Sequence, residues 1–169
     1  AGSVQRKLGE SIYGDPQREY GEKAVTKIVE QWGINMDNVT LYDGSGLSRT
    51  NRMTPLFLAS VLRSAALDWQ TGDLFPTLLP RCGVDGTVRN LLKGTCLSGN
   101  IALKSGSMTG VRCYAGYYPA ERPRYSVVLL TNNFHCTYEQ LKSSIERLMV
   151  GMFESYQDTI DKRQNTPQL

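Results

Sequence analysis

Residues 101–118 read Ile-Ala-Leu-Lys-Ser-Gly-Ser-Met-Thr-Gly-Val-Arg-Cys-Tyr-Ala-Gly-Tyr-Tyr. An apolar run leads into Lys104-Ser105-Gly106-Ser107, turns at Met108-Thr109-Gly110 and resumes as a second β-like run. Short links between such runs predict antiparallel neighbours. A lysine, a small hydroxyl residue and a glycine in succession on a strand suit the capture of a carboxylate. The ammonium of Lys104 attracts the anion, and the Ser105 hydroxyl can hydrogen-bond it. Gly106 lets another backbone approach closely, so a peptide can lie along the strand as an added one. The next residue, Ser107, then has its backbone N–H available for a developing oxyanion. The same triplet also occurs in ordinary solvated turns, so the rest of the chain has to decide.

Outward from this stretch, 169 residues suffice for one domain with its own core. A hydrophobic content of 40% with 21% charged residues is that of a soluble globular protein. The net charge of +3 is mild, and Lys and Arg are scattered, which argues against nucleic acid as a partner. No run reaches a transmembrane length, and no charged-then-apolar leader opens the chain. Ala1-Gly2-Ser3-Val4-Gln5-Arg6-Lys7-Leu8-Gly9 reads as the end of a helix that began earlier, an expectation that the chain starts inside a domain. Cys82, Cys96, Cys113 and Cys136 match no Cys-x-x-Cys spacing and His135 is the one histidine, so neither a zinc site nor another metal is expected. Four cysteines allow three disulfide pairings or none, and their redox state stays open.

Along the chain, Asp15-Pro16 is expected to start a helix that carries Tyr20, Ala24, Val25, Ile28, Val29 and Trp32 and ends at Gly33. Val39-Thr40-Leu41-Tyr42 reads as a short strand, running into the glycine-rich turn Asp43-Gly44-Ser45-Gly46-Leu47-Ser48-Arg49. Thr54-Pro55 caps a second helix with the stripe Leu58, Val61, Leu62, Ala65 and Trp69. Residues 71–99 are loop-rich, and strands follow near 101–107, 111–118 and 124–132. Thr137 and Gln140 form a capping box for a last helix. Its stripe of Leu141, Ile145, Leu148, Met149, Met152 and Tyr156 is expected in the core rather than in a ligand groove. The polar stretch 161–169 reads as a tail, leaving 1–160 as one domain: a layer of antiparallel sheet packed by helices.

Several motifs fail as catalytic signatures. The 43–49 turn lacks the glycine spacing of a nucleophile elbow and the Gly-Lys-Ser/Thr of a phosphate loop. His135 sits in a polar cluster at a strand end, where a surface histidine is the ordinary reading. Ser98-Gly99-Asn100 reads as a turn.

Three stretches nevertheless occur in a telling order: Asp43-Gly44-Ser45-Gly46-Leu47-Ser48-Arg49, Cys82-Gly83-Val84-Asp85-Gly86-Thr87, and Leu103-Lys104-Ser105-Gly106-Ser107-Met108-Thr109-Gly110-Val111. With Tyr13-Gly14-Asp15-Pro16 before the first of them, the chain resembles the class C low-molecular-mass penicillin-binding proteins over about residues 10–155. These are the D-alanyl-D-alanine carboxypeptidase/endopeptidase family. The resemblance implies an α/β chain of α+β type, the C-terminal part of a penicillin-binding, β-lactamase-like transpeptidase fold with helices on both faces of an antiparallel sheet. It implies an exported serine DD-peptidase of the periplasm or cell envelope, without cofactor. Its partners would be a peptidoglycan stem peptide, β-lactam antibiotics and an upstream segment of the same protein.

Carried onto this sequence, the resemblance makes Lys104, Ser105 and Gly106 the catalytic strand motif. Ser105, Ser107 and Met108 would bind substrate, and the Ser107 N–H would form half of an oxyanion hole. Serine in the middle of the triplet, where relatives often have threonine, keeps the hydroxyl. The family's nucleophile sits in Ser-x-x-Lys, followed by Ser-x-Asn, both upstream of the 43–49 turn. No serine here is followed three residues on by lysine; Ser3, Ser60 and Ser144 meet arginine, which stays protonated and cannot act as a neutral base. The chain would thus supply the substrate strand while the nucleophile lies elsewhere in the parent protein. Two alternatives stand beside this reading: a non-catalytic relative that holds peptidoglycan or a partner, and a distinct hydrolase using Ser45 or Ser48 with His135.

Overall fold

The hairpin at the heart of the chain forms where its sequence expects it. In the computed structural model, which describes residues 2–68 and 70–164 and side chains through Glu154, β1 (Ala102–Met108) and β2 (Val111–Tyr118) meet at Thr109-Gly110. Gly110 sits at φ +71, the left-handed region that glycine enters without a Cβ penalty. β3 (Tyr125–Asn132) follows, and the antiparallel order is β1-β2-β3. The register sets Gly106 opposite Cys113, Ser105 opposite Tyr114 and Cys113 opposite Leu130.

Alternation along the strands divides the side chains between two faces. Leu103, Tyr114, Val127 and Leu129 cluster with Leu141, Ile145 and Met149 of α4 (Tyr138–Gln164). On the opposite face lies α3 (Pro55–Leu67), fastened by the Tyr117 hydroxyl, which donates to the Leu62 carbonyl at 2.7 Å. Helices therefore cover both faces of the sheet, the expected α+β arrangement.

The helix starts follow local chemistry. Thr54 Oγ1 accepts from the Phe57 N–H at 3.0 Å, with Pro55 in the first turn. Thr137 and Gln140 exchange bonds reciprocally, backbone N–H to side-chain oxygen each way, at 3.0 and 3.3 Å. α1 (Gly2–Tyr13) and α2 (Arg18–Gln31) cross with their backbones nearly touching: a Cβ on Gly9 would fall 2.7 Å from the Gly21 nitrogen.

Three expectations need correction. α2 begins at Arg18 instead of Asp15-Pro16, because the Asp15 carboxylate is spent on a local turn, accepting from the Gln17 N–H at 2.8 Å. The strand expected at 39–42 is only an isolated bridge, Thr40 with Arg52, and among the described residues no named strand pairs with it. Residues 71–99 are loop-rich as expected, built of 3₁₀ turns (Phe75–Leu78, Gly86–Val88) and irregular backbone, and they place Cys82, Val88, Leu91, Leu92 and Leu97 among the most buried side chains with no period to reveal them. In α4, Leu148 and Met152 are 53% and 62% exposed and line an apolar groove of about 330 Å³ beside β3 instead of entering the core. Trp69 and the Tyr156 side chain lie outside the described residues. The helix continues through Gln164, into the polar stretch whose last five residues are likewise not described.

Candidate active site

The site is built on the outer edge of β1. Residues 80–82 run beside the start of that strand: the Leu103 N–H donates to the Pro80 carbonyl at 3.0 Å, and the Cys82 N–H to the Ile101 carbonyl at 2.9 Å. Gly83, at φ +77, then turns the chain away. Leu103 and Ile101 thus use their outward backbone groups, and the alternation of an antiparallel strand aims the groups of Ser105 and Ser107 outward as well. Beyond Leu103, among the described residues, no other backbone segment pairs with this edge.

The diverging loop returns. The Asp85 carboxylate accepts from the Arg81 N–H at 2.9 Å, and the Gly83 N–H donates to the Val88 carbonyl at 3.1 Å. Gly86 adopts φ +56, where a side chain would be strained, and the next residue, Thr87, meets β1. Its Oγ1 stands 2.6 Å from the Ser105 Oγ. Val88 behind it is fully buried and anchors the turn.

The expected site residues gather on this edge. Lys104 is exposed, its Nζ donating to the Ser105 carbonyl at 2.6 Å. Gly106 and Ser107 are exposed, and Met108 is half-buried at the lip of the hairpin. Opposite Ser107 stands Arg112, whose Nε donates to the Tyr114 hydroxyl at 2.9 Å and whose Nη2 donates to that of Tyr138 at 2.7 Å. An ammonium, a hydroxyl and outward backbone donors along one open edge can hold an extended peptide ending in a carboxylate.

Residues outside the edge have other engagements. Ser48 Oγ bonds Thr50 Oγ1 at 2.6 Å, and Ser45 Oγ accepts from the Leu47 N–H at 3.3 Å. Asp43 organises that turn, accepting from the Gly46 and Ser48 N–H groups at 2.7 and 2.9 Å. His135 is exposed in the loop between β3 and α4. All four cysteines are free thiols, and burial, helped by the nearby Asp85 charge, pushes the Cys82 thiol up to about 12. Among the described residues no group of three His, Cys, Asp or Glu side chains could hold a metal, and no helix is long and apolar enough to cross a membrane.

Sequence reasoning gave Thr87 and Arg112 no role. Thr87 lies in a quoted motif, but only the fold of residues 80–88 brings it to Ser105. For Arg112 the hairpin register carried the signal, since a two-residue turn at 109–110 pairs it with Ser107.

Residues 1–155 match the family described as D-Ala-D-Ala carboxypeptidase 3 (S13). The chain is 34% identical to the D-alanyl-D-alanine carboxypeptidase DacB of Haemophilus influenzae over 157 residues, covering 91% of this chain and 32% of that protein. It is 28% identical to the D-alanyl-D-alanine carboxypeptidase of an Actinomadura species, over 75% of this chain and 24% of that one. The crystal structure of penicillin binding protein 4 from Haemophilus influenzae superposes with a TM-score of 0.73 at 33% identity, covering 81% of this chain and 31% of that chain. A second structure of that protein, complexed with a novel β-lactam, gives a TM-score of 0.72. The chain spans about a quarter to a third of these relatives' length.

Proposed function

The chain belongs to the D-Ala-D-Ala carboxypeptidase 3 (S13) family, and from that premise we propose that it forms the substrate strand of a serine D-Ala-D-Ala carboxypeptidase/endopeptidase. The parent protein acts on peptidoglycan stem peptides in the periplasm or cell envelope. The observation that carries this reading is the open edge of β1, with Lys104, Ser105 and Ser107 along it and the edge closed only up to Leu103.

The serine of a Ser-x-x-Lys, outside residues 1–169, attacks the carbonyl of the penultimate D-alanine. Its proton passes to the neighbouring base, the peptide C–N bond breaks, and the terminal D-alanine leaves with that proton on its amine. Water then hydrolyses the acyl ester and regenerates the serine. Lys104 attracts the terminal carboxylate and favours the deprotonated base. The Ser105 hydroxyl donates to the same carboxylate. Gly106 allows the peptide to dock as an added strand, and the Ser107 N–H donates to the oxyanion of the tetrahedral intermediate. Met108, at the lip, contacts the stem-peptide side chain. β-Lactams acylate the same serine by mimicry of acyl-D-Ala-D-Ala.

The upstream segment of the parent packs beside β3, the terminal strand here. The apolar groove lined by Val127, Leu129, Leu148 and Met152 supports that contact, since it leaves hydrophobic surface open to a partner.

Labelled-penicillin acylation followed by intact mass, on this chain and on the full-length parent side by side, tests the reading. It expects one adduct, on the parent alone. No adduct on either would favour a non-catalytic peptidoglycan-binding relative. An adduct on residues 1–169 by themselves would put the nucleophile inside this chain.

A further inference from the structure

We infer that Thr87 is a positioning residue: its hydroxyl sets the orientation of the Ser105 hydroxyl and so tunes recognition of the substrate carboxylate. The inference rests on the proposed function, in which Ser105 donates to that carboxylate.

The 2.6 Å approach of Thr87 Oγ1 to Ser105 Oγ is a short hydroxyl–hydroxyl bond. Serine, lacking a β-branch, has little intrinsic preference to hold one rotamer, so an external partner decides where its oxygen points. Each hydroxyl has one proton to give. When a carboxylate arrives, the Ser105 proton turns to it, and the bond to Thr87 survives only with Thr87 as donor. Thr87 has that freedom, because among the described residues Ser105 is its side chain's hydrogen-bond partner. A donated bond also polarises the Ser105 O–H and strengthens its bond to the anion.

The placement is built. Fully buried Val88 follows Thr87, and Gly86 before it, with φ +56, lies so close to Pro80 that a Cβ would come within 2.8 Å of the proline ring. At the root of the loop, a side chain on Gly83 would collide with Ser98 Oγ. Backbone bonds from Gly83 to Val88 and from Leu103 to Pro80 join this loop to β1. Thr87 itself is exposed and contributes little to the core, so its hydroxyl is available to the site.

The test uses the full-length parent and two penicillins, one with its free carboxylate and one with that carboxylate methylated. The measured quantity is the ratio of their acylation rate constants, which a partly misfolded variant does not change. Thr87→Val is expected to lower the acid-to-ester ratio about five- to tenfold, the worth of one net hydrogen bond. Thr87→Ser should restore it, and in a Ser105→Ala background Thr87→Val should have no further effect. A ratio unchanged by Thr87→Val, or an undiminished effect without the Ser105 hydroxyl, would overturn the inference while leaving the carboxypeptidase reading intact. If wild-type parent is acylated by neither compound, the proposed function fails and takes this inference with it.

Discussion

Gly106 and Cys113 stand opposite each other in the β1–β2 ladder, and a Cβ built on Gly106 would come no nearer than 3.8 Å to the Cys113 Cβ. The fold therefore has room for alanine at this position. Under the proposed function, glycine is needed there for a substrate backbone approaching from outside. Gly106→Ala should leave stability within about 1 kcal/mol of wild type, as read by denaturant unfolding. Penicillin acylation of the parent should fall at least about tenfold, the order of a lost close backbone contact in the transition state. Normal acylation would mean that no substrate backbone passes that close.

Gly116 is the contrasting case. A Cβ there would fall onto the Ala102 carbonyl oxygen and 3.0 Å from the Leu103 Cα. Backbone atoms cannot give way as a flexible side chain does, so β1 must shift off β2. Gly116→Ala should cost about 1–3 kcal/mol of stability, measured by thermal unfolding, and should weaken acylation as a consequence.

Removing the Lys104 ammonium takes away the cation that donates to the Ser105 carbonyl. Lys104→Ala in the parent should slow acylation by about 10- to 100-fold, the range for a lost hydrogen bond to a charged group. Lys104→Arg should retain part of the rate, because the charge stays while its shape changes. Lys23→Ala is the matching control. Lys23 pairs with Glu19 at 2.7 Å on an exposed helix face, and such a pair contributes little to stability.

Tyr117 links the sheet to α3, and burial pushes its hydroxyl up to about 12, above the ordinary tyrosine value. The neutral form is thus favoured in the folded state. At pH 10–12 the unfolded chain has lost this proton and the folded one keeps it, so the stabilisation present below about pH 10 declines through that window. Thermal unfolding should show a drop in stability above pH 10 that is smaller in Tyr117→Phe. An identical alkaline slope in the variant would contradict the assignment.

The thiols should react in order of exposure. Cys96 and Cys136 are exposed, Cys113 is half-buried with its thiol raised by burial, and Cys82 is fully buried. Alkylation at pH 8 should modify Cys96 and Cys136 first and reach Cys82 only on unfolding, as read by peptide mass mapping.

Much of the sheet could be seen in one dimension. Alternating runs broken by Thr109-Gly110 and by residues 119–124 are local signals, and the three strands begin and end within a residue of where those runs do. The caps at Thr54 and Thr137 are local too, since each needs only a side chain three residues from an N–H. Asp15 misled because a short acidic side chain serves an Asx turn as readily as a helix cap. The burial of Cys82, Leu91, Leu92 and Leu97 had no local signature: it depends on segments 80–101 folding against β1 and α4, far apart in the chain.

The sequence alone determined the hairpin, the order Lys104-Ser105-Gly106-Ser107 and the family they signal, because pleat, turn and motif are properties of neighbouring residues. Only the tertiary structure decided which length of β1 stays open. It closed the edge with residues 80–82 as far as Leu103, left Ser105 and Ser107 facing outward, and returned Thr87 to the Ser105 hydroxyl. Such contacts join residues 18 or more positions apart, whose meeting depends on how the intervening chain buries its core, and no local pattern encodes it.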